Sequence, residues 1–108
     1  MKGERLGEFE ELVLLSVRQL GVADAHGAAI QEVLAGSARR EAALGAIYAA
    51  LDRAQRKGLA DSWLGEPTAV RGGRAKRHYR VTVEGEAALE ESRRIRDLLW
   101  AEPREAHS

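Results

Sequence analysis

Cysteine is absent from the 108 residues, which excludes disulfide bridges and thiolate metal sites and fits a reducing compartment. No apolar run approaches the ~18 residues that a membrane span needs. The opening Met1-Lys2-Gly3-Glu4-Arg5 lacks the apolar stretch of a signal peptide. A cytoplasmic location with no membrane partner is therefore expected. Reactive constellations are also missing: there is no phosphate-loop signature, no nucleophile elbow and no pair of histidines one helical turn apart. His26, His78 and His107 are scattered, so no catalysis, metal or cofactor is expected. A chain of this length accommodates one domain with a modest core.

Net charge is lacking too, since the formal value is zero, but the average conceals a segregation. Between Arg53 and Arg80 eight basic residues (Arg53, Arg56, Lys57, Arg71, Arg74, Lys76, Arg77 and Arg80) stand against Asp61 and Glu66 alone. The remainder of the chain therefore carries the balancing acid. Such asymmetry is either an ordinary solvated surface or the footprint of a face that meets phosphates.

Phe9, Leu12, Val13, Val17 and Leu20 recur at three- and four-residue steps with Ser16 in register, the stripe of an amphipathic helix ending at Gly21. Leu14 and Leu15 widen its apolar surface, as if something outside the domain covered it. Glu8, Glu10 and Glu11 read as a solvated acidic face. A second helix runs from His26 to Leu34, with Ile30, Val33 and Leu34 inward, Gly36 as its stop and His26 at the boundary. A third starts at Leu44, marked by the spacing Leu44, Ile47, Leu51 and Ala54, and ends at Gly58 behind Arg56-Lys57. Its other face carries Ala46, Ala49, Ala50 and Arg53, which is either a plain high-propensity surface or a helix smooth enough for a major groove.

Leu59–Leu64 and Arg77–Thr82 read as two strands, the second with Tyr79 and Val81 on one side. The loop between them, Arg71-Gly72-Gly73-Arg74-Ala75-Lys76, sets glycines among cations. It is either a soluble hairpin tip or a loop whose backbone comes close to a polyanion. Thr82 caps a last helix in which Ala88, Ser92, Ile95 and Leu99 share a face beside Leu89 and Leu98; Trp100 ends the stripe and Pro103 breaks it. That apolar stripe either folds back on its own domain or pairs with a second copy, through Leu89, Ser92, Ile95, Leu98, Leu99 and Trp100 with Leu14 and Leu15 of the first helix.

The expected fold is mainly α (α+β), a winged helix-turn-helix with a two-stranded wing and an added C-terminal dimerisation helix. Residues 1–82 form the core, 83–102 the added helix and 103–108 a tail. In that order of elements the third helix and the basic loop fall on one face, where the cationic excess lies.

The segments LGEFEELVLLSVRQL, HGAAIQEVL, LGAIYAALDRAQRKGLADSWLGEP and RGGRAKRHYRVTVEGEAAL, in this order from about Leu6 to Leu99, resemble a short PadR-like transcriptional regulator. The most specific parts are Leu44-Gly45-Ala46-Ile47-Tyr48, Leu51-Asp52-Arg53, Lys57-Gly58-Leu59 and the wing from Arg71 to Arg80. The resemblance implies a winged-helix homodimer, generally a repressor, on a pseudo-palindromic stretch of double-stranded DNA. It places Tyr48 on the phosphate backbone, Arg53 and Lys57 on or beside the contacted face, and Arg71, Gly72, Gly73, Arg74, Lys76 and Arg77 in the wing. Base reading falls to Ala46, Ala49 and Ala50, which predicts reliance on DNA shape. Ala42-Ala43 departs from the family's usual hydroxyl cap, an omission worth about 1 kcal/mol of helix stability. The resemblance also raises a small apolar or aromatic effector between subunits, with Trp63 or Trp100 lining its pocket. The rival reading is a winged helix turned protein-interaction module, against which five basic residues from Arg71 to Arg80 argue.

Overall fold

The computed structural model describes residues 6–66 and 75–104. Among them the order is α1 (Glu8–Leu20), α2 (Gly27–Gly36), α3 (Leu44–Arg56), β1 (Ala60–Leu64), β2 (Arg77–Val81) and α4 (Val83–Trp100). This is a mostly helical winged helix, with β1 and β2 antiparallel and Ser62 opposite Tyr79. Gly21 and Gly58 end α1 and α3 at φ 82° and 78°, the left-handed region that glycine enters without a Cβ penalty. At the entry to α4 the Thr82 hydroxyl accepts from the Gly85 amide at 3.0 Å and donates to the Gly58 carbonyl at 2.7 Å. One side chain thereby caps the last helix and ties it to the end of α3.

Val13 and Val17 of α1, Ile30 and Leu34 of α2, Ile47, Ala50 and Leu51 of α3, and Tyr79 of β2 form the main core. A smaller cluster joins Leu14, Ala54, Ala60 and Leu89. Leu14 and Leu89 therefore do not belong to a surface awaiting a second chain. Both are buried within one chain, where α1 crosses the first half of α4. The acidic face of α1 is corrected as well, because Glu10 and Glu11 are buried. Lys57 donates to Glu10 at 3.0 Å, and Arg96 of α4 is paired with Glu11.

A further pairing joins the wing to the helices. The Tyr79 amide donates to the Ala25 carbonyl at 2.9 Å, and His26 bridges His78, so the residues before α2 act as a third, minimal strand. His26 then caps α2, its Nδ1 accepting from the Ala29 amide at 3.4 Å. His78 lies edge-on to His26 and stacked on Trp63, each at 5.9 Å between ring centres, rather than standing free on the strand.

Burial, with Lys76 and His78 adding repulsion, holds the His26 imidazole below its ordinary value near 6.5 despite Asp24 and Glu32. The unfolded chain then takes up this proton first as pH falls. Stability that is fully present above about pH 6.5 is lost as pH drops from there toward the folded-state value. Thermal melts between about pH 7.5 and about pH 5.5 should show this loss. His26→Asn keeps an acceptor at the cap without titrating, so its melting temperature should fall less over the same range; an equal fall would assign the loss to other groups.

Candidate nucleic-acid interface

At about 100° per residue, the buried side of α3 is set by Ile47, Leu51 and Ala54. Ala50 falls on that same side and is fully buried, so it belongs to the core and not to the reading face. The exposed side carries Gly45, Ala46, Ala49, Asp52, Arg53 and Arg56. Two polar side chains on this side, Asp52 and Arg56, were not singled out as a pair in the sequence, although their i, i+4 spacing was the available signal. Their side chains pair at 3.2 Å.

No side chain caps α3 at Ala43, as expected. The chain is instead held just before the helix by Gln31, whose Nε2 donates to the Ala42 carbonyl at 2.8 Å. A neighbouring element thus supplies the positioning that a local hydroxyl usually provides.

Tyr48 is 44% exposed and lies over the first turn of α2. Its phenol occupies the space above Gly27, where an added Cβ would stand 2.2 Å from the phenol oxygen. Glycine at that position is what allows the hydroxyl to rest at the amino end of α2, the positive end of the helix dipole. From Tyr48 a shallow trough runs between α3 and the wing, lined also by Asp52, Gln55, Ser62, Arg77 and Tyr79. Across it the Arg77 guanidinium donates to Ser62 Oγ at 2.9 Å. The Tyr79 phenol forms its floor and is raised above its ordinary pKa, mainly by burial. A phenol and a guanidinium thus flank one trough, both suited to phosphate oxygens.

Of the other expected contacts, Arg53, Lys76, Ala46 and Ala49 are exposed. Lys57 is turned inward onto Glu10, with a quarter of its side chain exposed, so its charge is met inside the protein. Arg71, Gly72, Gly73 and Arg74 lie outside the described residues.

On the far side, α4 runs along α1 as far as Arg96, which pairs with Glu11, and its last turn is exposed. Leu98, Leu99 and Trp100 are 64%, 82% and 85% exposed, and Leu15 of α1 is exposed as well. Ser92 and Ile95 are half-buried. A groove of about 370 Å³ between α1 and α4 has Leu15, Leu89 and Trp100 among its lining residues. Arg18 and Glu86, paired at 2.9 Å, also line it. Trp63 does not line this groove and sits instead on the outer face of the wing.

The model of the transcriptional regulator PadR-like family matches residues 14–91. Among solved structures, a PadR-like transcription factor from Bacteroides fragilis aligns with a TM-score of 0.70 at 24% identity, over 84% of this chain and 82% of that one. A PadR family transcription regulator from Clostridium difficile aligns at 0.68 and 23% identity, over 86% and 91%. One from Eggerthella lenta aligns at 0.68 and 24% identity, over 84% and 73%. No curated protein matches. At these identities the solved structures bear on the fold, and the family match bears on the class.

Proposed function

The chain belongs to the transcriptional regulator PadR-like family, and from that premise we propose that it is a homodimeric, sequence-specific repressor that binds a pseudo-palindromic operator. The observation that carries this reading is the trough in which Tyr48 of α3 faces Arg77 of the wing. Arg53 and Lys76 add charge to the two elements that form it, and the exposed side of α3 offers small residues to a groove. In a two-fold dimer the half-sites lie about one helical turn apart. Residues 1–82 serve as the reading core and 83–102 as the pairing helix. The interface uses Leu15, Ser92, Ile95, Leu98, Leu99 and Trp100, without the buried Leu14 and Leu89. The location is cytoplasmic.

Fluorescence anisotropy with the protein's own upstream DNA and a scrambled duplex, each at two salt concentrations, tests the reading. Native DNA should bind more tightly, and both complexes should weaken with salt. Converting Arg71, Arg74 and Lys76 to alanine should flatten the log–log salt slope by about 0.9 for each phosphate that is no longer neutralised. No binding at low salt would favour the protein-interaction module. An unchanged slope in the triple variant would remove the wing from the interface.

The second half of α4 supplies the dimer test. Leu99→Glu with Trp100→Glu places charge on side chains that the single chain leaves exposed. Sedimentation should show a dimer become a monomer while circular dichroism stays unchanged; a persistent dimer would require another interface. The α1–α4 groove also supports a role in sensing a small apolar or aromatic effector, for which Trp100 fluorescence during titration is the readout.

A further inference from the structure

The exposed side of α3 has an unusual composition for a surface offered to a polyanion. Beside Tyr48, its first two turns present Gly45, Ala46 and Ala49, which have neither charge nor hydrogen-bonding side chains. The next turn presents Arg53 and a carboxylate, Asp52, the latter at the edge that also lines the trough beside Arg77. A carboxylate on such a face repels phosphates in every complex, native or scrambled, and so weakens binding without discrimination unless it also reads a base. Two features moderate that repulsion. Arg56 holds Asp52 Oδ2 at 3.2 Å, and more than half of each side chain is exposed, so the pair meets solvent and is no part of the core.

We propose that Asp52 is a specificity-determining residue that accepts a hydrogen bond from a cytosine N4 amino group in the major groove, with Arg56 offsetting its charge. This rests on the reading of α3 as the DNA-contacting helix. Small residues on the preceding turns let the helix backbone settle close to the groove floor, which a side chain as short as aspartate needs in order to reach a base edge. An ionised carboxylate only accepts hydrogen bonds. The bases that offer a donor in the major groove are cytosine, through N4, and adenine, through N6. Adenine places the acceptor N7 beside that donor, where it opposes the second carboxylate oxygen. Guanine and thymine present acceptors at O6 and O4, and an acceptor set against a carboxylate rejects the wrong base as actively as the right contact selects cytosine.

The test is selection of binding sites from random duplexes by the full-length wild type, Asp52→Ala and Asp52→Asn, followed by anisotropy on the selected site and its single-base changes. The wild type should prefer cytosine at one position of each half-site by roughly tenfold. Asp52→Ala should lose that preference while binding scrambled DNA more tightly, because a repulsive charge is gone. Asp52→Asn should move the preference to adenine, since an amide matches adenine N6 and N7. A carboxylate acting only through charge, or only by holding Arg56, predicts no such change of base. Identical site preferences in all three proteins would overturn the proposal while leaving DNA binding intact. Wild-type binding with no base preference would overturn it too, and no binding at all would take down the underlying reading with it.

Discussion

Lys57→Met is expected to lower the free energy of unfolding by about 3 kcal/mol, although a lysine before a helix-ending glycine looks like a dispensable surface charge. The carboxylate it meets, Glu10, is 95% shielded on its side chain, and Lys57 Nζ lies 3.0 Å away. The second oxygen of Glu10 is buried with no hydrogen-bond partner among the described residues. Removing the ammonium therefore strands a buried charge, whereas removing both charges does not. Glu10→Gln with Lys57→Met should recover most of the loss, because a buried ion pair contributes little net stability over a neutral replacement. Denaturant melts of the two single variants and the double variant close the cycle. Additive losses would show that the two residues do not act as a pair. The same variant separates the structural role from a DNA contact. At a temperature where Lys57→Met is folded, its salt slope should match the wild type, whereas a phosphate contact would flatten it by about 0.9.

The Lys57–Glu10 pair also shows where a sequence stops being legible. Features governed by neighbours in the chain were readable: the glycines that end α1 and α3, Thr82 as a cap, and the three- and four-residue spacing of the core. Glu10 and Glu11 were not, because their partners lie 47 and 85 residues away and a glutamate looks the same whether solvated or paired. Ala50 failed for another reason. Alanine fits either side of a helix, so only the larger Ile47 and Leu51 fix the phase, and they rotate Ala50 inward while leaving Ala46 and Ala49 outside. Leu14 and Leu89 show the same ambiguity at the level of chains. A surplus of apolar residues calls for a partner, but the pattern does not say whether that partner is another helix of the same chain. The candidate site was half legible: Tyr48 and Arg77 stand out by residue type, yet the trough that joins them depends on Gly27 and on strand register. Asp52 does not stand out in the sequence, because an isolated carboxylate beside Arg53 and Arg56 looks like ordinary surface charge.

The junction between α3 and α4 carries the other large effect, at Gly85. A Cβ built there would stand 2.1 Å from the Leu59 carbonyl oxygen and 2.6 Å from Val81 Cγ1. The valine methyl has some freedom, but the carbonyl is fixed, since it accepts from the Thr82 amide at 3.1 Å and Thr82 in turn caps α4. Gly85→Ala should therefore either break that bond or tilt α4, at a cost of about 3 kcal/mol, which lowers the Tm of a domain this size by about 10–20 °C. Gly36→Ala is the control. It also replaces a helical glycine, no atom outside its own helix lies within 4 Å of the added Cβ, and the gain in helix propensity makes it neutral or stabilising by up to about 1 kcal/mol. A Gly85→Ala variant as stable as Gly36→Ala would mean that the junction yields without strain. The expected loss extends to function, because α4 is anchored at this junction and a tilt at Gly85 grows along its length. About 20 Å separates Gly85 from the exposed Leu98–Trp100 end at 1.5 Å per residue, so a tilt of even 10° would displace that end by roughly 3–4 Å. In the proposed dimer that displacement alters the spacing of the two reading helices. Folded Gly85→Ala protein should then lose affinity for the native operator while keeping its affinity for scrambled DNA.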